Sequence, residues 1–295
     1  LKSHRLNTLA KRYNVALEQH HRAVYDSETT GYLCHIFLKE AATEHNLLYH
    51  DELNTNIHPE EVFKNGRPFH ATIFAKDQAG LKELFKVVSQ SNIEYYYRVP
   101  RILRSMLSSR RDSFLLGSGC AEGEVFEAMM QKGYNEAKEK AKFYDYIEIM
   151  PKAIYRPLIK KELIRNEHHL EEIIQNLVRL GEELGKPVVA TGNVHYLNPE
   201  DKIYREILLT SLNNGVPQEY PDAHLRTTDE MLKEFAFLGE EKAYEVVVTN
   251  SNWVSDQLEE ITPVKDELYT PKIEGAAEEI TKLSYDKAHE WYGNP

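Results

Sequence analysis

The segment Pro187-Val188-Val189-Ala190-Thr191 constrains the fold most. It is apolar without alternation, the pattern of a short strand covered on both faces, as in a parallel sheet. A helix-patterned stretch at about 167–184 precedes it, and Gly185 is placed to end that helix. Phe114-Leu115-Leu116 is a second such run; it leads into Gly117-Ser118-Gly119-Cys120 and a helix from Glu122. Phe69 to Ala75 reads as a strand bounded by Pro68 and by Asp77, which would cap a helix carrying Leu81, Leu84, Phe85 and Val88 on one face. Phe143 to Met150 reads as a further strand, alternating at period two from Tyr144 to Ile149. Strands alternating with helices predict an α/β fold, of which a β/α barrel is one form.

The flanks differ. Residues 4–13 and 22–44 carry helical stripes, and the pattern is helical again from Thr228. The polar stretch from His45 to Pro68 is the best domain boundary, consistent with about two domains in 295 residues. The 36 basic against 47 acidic side chains give a net charge of −11, which excludes a globally basic nucleic-acid glove but not a local patch. No run reaches the roughly 18 apolar residues of a membrane span, and the first residues lack the apolar stretch of a secretion signal. Cys34 and Cys120 are the only cysteines, so no disulfide framework is expected and a cytoplasmic location is. The chain starts with Leu inside a helical pattern and ends at Pro295 just after another, so it is expected to be a piece of a longer protein.

Three groups of residues could carry chemistry. His70, Cys120, Asn193 and His195 lie on or just beyond strands, and Asn193 and His195 share a side in extended chain. Imidazole and thiolate suit metals such as zinc, and an amide oxygen can complete a site. The same residue types also serve as surface histidines and a small buried cysteine. In His20-His21-Arg22-Ala23-Val24-Tyr25-Asp26, His21 could be a general base and Asp26 a metal ligand. Asp26 is equally an ordinary acid in the first turn of a helix. Tyr95-Tyr96-Tyr97-Arg98-Val99-Pro100-Arg101, followed by Arg104, Arg110 and Arg111, could stack bases and neutralise phosphates. The competing reading packs the tyrosines on the domain and pairs the arginines with surplus acids.

Taken in order, several stretches resemble the PolC-type DNA polymerase III alpha subunit of Gram-positive bacteria. They are His4-Arg5-Leu6-Asn7-Thr8-Leu9, His20-His21-Arg22-Ala23 with Asp26, Arg67-Pro68-Phe69-His70-Ala71-Thr72, Tyr97-Arg98-Val99-Pro100-Arg101-Ile102, Gly117-Ser118-Gly119-Cys120, Ala190-Thr191-Gly192-Asn193-Val194-His195-Tyr196-Leu197, Arg226-Thr227-Thr228 through Phe235, and Asp266 through Gly275. The resemblance implies a 3′–5′ exonuclease inserted into a PHP (polymerase and histidinol phosphatase) domain. Residues 1–45 would then be the end of the exonuclease, 46–66 a linker, 67–240 the later part of the PHP domain, a distorted β/α barrel, and 241–295 a helical connection toward the palm. On the same match His21 is the exonuclease general base and Asp26 one metal-binding acid, with the partner acids upstream. His70, Cys120, Asn193 and His195 map onto the PHP metal cluster, whose His-x-His opening is not in this sequence. Related polymerases often carry Asp where Asn193 stands, and a neutral amide is a poorer ligand. The implied cofactors are Mg²⁺ or Mn²⁺ for synthesis and proofreading, with Zn²⁺ or Mn²⁺ at the PHP site. The implied partners are primer-template DNA, dNTPs, a sliding clamp and other replisome subunits, with no membrane. The resemblance leaves three expectations: a polymerase fragment inactive alone, a PHP phosphoesterase, or a structural PHP scaffold.

Overall fold

The computed structural model describes residues 5–17, 22–49, 52–53, 62–212, 220–264, 266–267 and 271–293. Helices α1 (Leu6–Arg12), α2 (Ala23–Glu44) and α3 (Val62–Asn65) come first. Then follow β1 (Thr72–Ala75), α4 (Gln78–Ile93), β2 (Tyr96–Tyr97), β3 (Val99–Pro100), α5 (Arg104–Ser108) and β4 (Phe114–Gly117). The central part is α6 (Glu124–Gln131), α7 (Tyr134–Ala141), β5 (Ile147–Ile149), α8 (Lys152–Lys160), α9 (Glu167–Leu184) and β6 (Val188–Ala190). The last elements are α10 (Lys202–Leu212), α11 (Thr228–Glu234), α12 (Glu240–Tyr244), α13 (Asn250–Asp256) and α14 (Ala276–Tyr292).

The chain divides into two compact units, one of residues 1–68 and 91–103, the other of 69–90 and 104–295. In the first, α1 packs on α2 through Ala10, Leu33 and an edge-on contact of Tyr13 with Phe37 at 5.0 Å. The Thr29 hydroxyl donates to the Ala16 carbonyl at 2.8 Å and ties α2 to the segment just after α1. The β2–β3 hairpin belongs to this unit, with Tyr97 opposite Val99 and Arg98 at the tip in the left-handed region, φ 64°.

In the second unit β5 and β6 pair in parallel, with Ile147 opposite Val188 and Ile149 opposite Ala190. All six residues of the two strands are buried, as expected for strands covered on both faces. The predicted alternation from Tyr144 to Ile149 is not realised: Tyr146, Ile147, Glu148, Ile149 and Met150 are all buried. α9 packs on β5 and β6, and Trp253 and Val254 of α13 pack against Tyr146 and Val189, so alternate residues meet protein rather than solvent. β1 pairs with β4 antiparallel, Thr72 opposite Gly117, a departure from an all-parallel arrangement. A parallel bridge between Gly117 and Tyr146 sets β4 beside β5. Among the described residues the strands form pairs rather than a closed barrel.

Helix α9 presents Leu170, Ile173, Ile174, Leu177, Val178 and Leu180 to the core and touches β5 and β6. Full burial of each such side chain contributes roughly 2 kcal/mol before the entropy of ordering is subtracted. The Asn166 side chain accepts from the His169 N–H at 2.9 Å as its N-cap, and Gly185 closes it at φ 63°. On the other face Trp253, Val254 and Leu258 pack against Leu115, Tyr146 and Val189. Asp77 does cap α4, its Oδ1 accepting from the Gly80 N–H at 2.6 Å. The buried side of α4 is turned from the expected one: Leu81 and Val87 are buried, whereas Phe85 and Val88 are exposed.

Candidate functional site at the strand ends

The loop after β4 is shaped by glycine. Gly119 adopts φ +79°, and a Cβ there would lie 2.5 Å from the His70 carbonyl oxygen. Only a residue without a side chain lets the two segments approach this closely. The His70 N–H donates to the Glu122 carbonyl at 3.1 Å, and His70 and Gly123 form a parallel bridge. The imidazole of His70 thereby reaches both neighbours. Its Nδ1 lies 3.2 Å from Cys120 Sγ, and its Nε2 lies 3.1 Å from Glu122 Oε2. Burial pushes the Cys120 thiol up, and the Glu122 and Glu148 carboxylates add to that shift. That rise works against thiolate nucleophilicity at Cys120.

The loop after β6 carries the other two predicted residues. The Thr191 N–H donates to the Ile149 carbonyl at 2.9 Å, extending the β5–β6 ladder by one residue. Asn193 then bends the chain at φ 45°. The His195 N–H donates to the Ala223 carbonyl at 2.8 Å, and Tyr196 bridges to His224. Burial and the nearby Arg205 charge push the His195 imidazole down. The structure thus brings His70 and Cys120 together but does not join His195 to them. Among the described residues no three His, Cys, Asp or Glu side chains surround a common point. As placed, the predicted quartet is an incomplete donor set for zinc or manganese, which take three or four protein ligands. The physical reason is local: the bend at Asn193 and the bond to Ala223 commit the second loop to residues 222–225.

Sequence reasoning missed a buried polar cluster between these loops. Glu148, on β5, is 5 % exposed. Its Oε1 accepts from the Gly119 N–H at 3.0 Å, and its Oε2 accepts from the Thr191 hydroxyl at 3.1 Å. The Glu148 N–H donates to Ser118 Oγ at 2.9 Å, and Ser118 is itself buried. The available signal was one acid inside Ile147-Glu148-Ile149-Met150.

The aromatic and basic stretch separates into two kinds of arginine. Arg98 and Arg101 both lie against the Tyr97 ring, at 5.6 and 5.4 Å from its centroid. Arg101 also donates to the Gly66 carbonyl, whereas Arg98 stands exposed at the hairpin tip. Arg110 pairs with Glu83 at 2.9 Å, Arg111 donates to Asp145 Oδ2 at 2.7 Å, and Arg104 pairs with Glu124 under the Phe143 ring. These three arginines serve the fold. Asp26 lies in the first turn of α2, and its carbonyl accepts from the Thr30 hydroxyl at 2.7 Å. His21 falls outside the described residues.

Residues 14–155 match the family model of the PHP domain. That span includes Asp26, His70 and Cys120 and stops short of Asn193 and His195. Curated relatives match along almost the whole chain. The DNA polymerase III PolC-type of Pediococcus pentosaceus is 58 % identical over 297 residues, 99 % of this chain and 21 % of that protein. The protein of the same name from Listeria welshimeri is 58 % identical and that from Bacillus subtilis 56 %, each over 99 % of this chain and 20 % of its own length. The chain therefore spans about a fifth of the relatives it matches.

Proposed function

We propose, for a chain whose kinship along nearly its whole length is with PolC-type DNA polymerase III, that it is a scaffold segment of a replicative polymerase. The observation that carries this is the extent of the match, 99 % of the chain at 58 % identity. The whole protein would extend a primer on template DNA from dNTPs and remove mismatched 3′ ends, using Mg²⁺ or Mn²⁺. It would work in the cytoplasm with a sliding clamp and other replisome subunits. Among the described residues no helix is long and apolar enough to cross a membrane.

Within that protein residues 67–240 would be the later part of a distorted PHP barrel, and residues 1–45 the end of the exonuclease. His21 would be the exonuclease base and Asp26 one of its metal-binding acids, completed by acids from elsewhere in the polypeptide. Arg98, exposed beside Tyr97, suits a single-stranded DNA contact better than Arg101, which is tied to the Gly66 carbonyl. The PHP residues hold the two strand-end loops rather than catalyse. The amide at Asn193 and the incomplete donor set support the scaffold reading. Any Zn²⁺ or Mn²⁺ would need ligands beyond those described. The contact of His70 with Cys120 favours a second reading, a PHP phosphoesterase.

The purified chain tests this, assayed with Mn²⁺ or Zn²⁺ on bis-p-nitrophenyl phosphate and with Mg²⁺ on 3′-labelled DNA. Neither product is expected. Release of p-nitrophenol would establish the phosphoesterase, and release of nucleotides would show that the segment carries its own exonuclease.

A further inference from the structure

We infer that Glu148 is a positioning residue: its one carboxylate ties the turn carrying Cys120 to the turn carrying Asn193 and His195. This goes beyond the scaffold reading and does not depend on whether a metal binds. Three observations converge on it. Glu148 sits on β5 between β4 and β6, so each oxygen faces the end of a different neighbouring strand. Oε1 holds the amide of Gly119, the residue before Cys120, and Oε2 holds the hydroxyl of Thr191, two residues before Asn193. The room for the carboxylate exists because position 117 has no side chain; a Cβ there would collide with Oε1 and with the Tyr146 ring.

The chemistry accounts for an acid at this buried position. A carboxylate offers two oxygens that only accept, so it can serve two donors on opposite sides at once. Hydrogen bonds to an ionised acceptor are stronger than neutral ones and hold geometry more tightly. A methionine or leucine here would fill the space and leave the Gly119 N–H without a partner. The Glu148 N–H on Ser118 Oγ fixes the same strand to the first turn from its backbone side.

The test uses the full chain in a Cys34→Ser background, so that Cys120 is the single thiol. Glu148→Ala, Glu148→Gln and Thr191→Val are compared by circular dichroism, by native-state modification of Cys120 with a disulfide reagent, and by amide exchange at Gly119. Glu148→Ala is expected to speed both Cys120 modification and Gly119 exchange by about tenfold, the factor implied by losing one hydrogen bond to a charged group. Glu148→Gln is expected to restore most of the Gly119 protection, because its amide oxygen still accepts. Thr191→Val is expected to speed Gly119 exchange although it does not touch Gly119. A merely local packing role would leave that last readout unmoved. Rates within about twofold of the parent for a folded Glu148→Ala chain overturn the inference. Should that variant fail to fold, unchanged Gly119 exchange in Thr191→Val overturns it.

Discussion

Gly117 owes its identity to the side chains that fill its missing place. It is the last residue of β4, and a Cβ there would overlap the Tyr146 ring and Glu148 Oε1. Tyr146 is 1 % exposed and packs with Leu115 and Val189, so the ring has nowhere to retreat. Gly117→Ala should therefore lower stability by roughly 1–3 kcal/mol, the range for overpacking a filled core. Urea unfolding followed by circular dichroism measures this, and an unchanged midpoint would mean that the core yields where it is taken to be rigid. This constraint could not be read from the sequence. Gly117-Ser118-Gly119-Cys120 marked the end of a strand and a candidate thiol, both of which the structure has. What lies opposite Gly117 is Tyr146 and Glu148, about thirty residues on, and what lies opposite Gly119 is the His70 carbonyl, about fifty residues back. His70 and Cys120 were legible as candidates by residue type. Their 3.2 Å contact, and the separation of His195 from them, were set by loop paths no spacing encodes.

At the scale of elements, the ends were legible and the faces less so. Helix α9 runs where its pattern predicts and Gly185 was legible as its end, whereas the Asn166 cap at its start is visible only in the structure. β6 was legible because a run without polar residues has few other places to go. Helix α4 shows the limit. Phe85 and Val88 extend an apolar stripe from Leu81, yet the helix rolls so that Val87 is buried and they are not. Apolar side chains on both sides of that stripe made the roll ambiguous, and the packing partners decided it. The consequence is an inversion of the usual size order. Val87→Ala removes two buried methyl groups and should cost about 1.5 kcal/mol. Phe85→Ala removes a larger side chain that is 55 % exposed and should change stability by less than about 0.5 kcal/mol. Comparing the thermal midpoints of the two variants checks the roll, and a larger loss for Phe85→Ala would restore the face read from periodicity.

For the molecule as a whole, the acid surplus sets how stability depends on pH. A net charge of −11 opposes the compact state through self-repulsion, while direct bonds hold several carboxylates below the usual range. Glu83 is lowered by hydrogen bonds from Lys86 and Arg110, Glu183 by those from Lys138 and Tyr134, and Asp222 by that from Lys202. Glu230 is lowered by the Thr227 backbone and hydroxyl in the capping box of α11. Each of these groups is more acidic folded than unfolded. Their contribution is thus complete above the ordinary values of 4.5 for Glu and 3.8 for Asp, and is lost as pH falls through the lower folded values. Tyrosines set the opposite edge. Burial raises Tyr144 and Tyr146 above the ordinary 10.0, and the Glu124 carboxylate that accepts from the Tyr144 hydroxyl raises it further. The unfolded chain therefore loses these protons first, and the stabilisation present below pH 10.0 declines as pH rises beyond it. Thermal midpoints of the chain should be highest near neutral pH, falling on the acid side first through His195 below its ordinary 6.5 and then through these carboxylates, and on the alkaline side through Cys120 above its ordinary 9.0 and then through the tyrosines. Asp222→Asn, which removes the nearer of the two carboxylates beside Lys202, should lower the neutral-pH midpoint slightly and make the acid edge shallower. A midpoint that rises on acidification from neutral pH would show instead that relief of the −11 surplus outweighs these bonds.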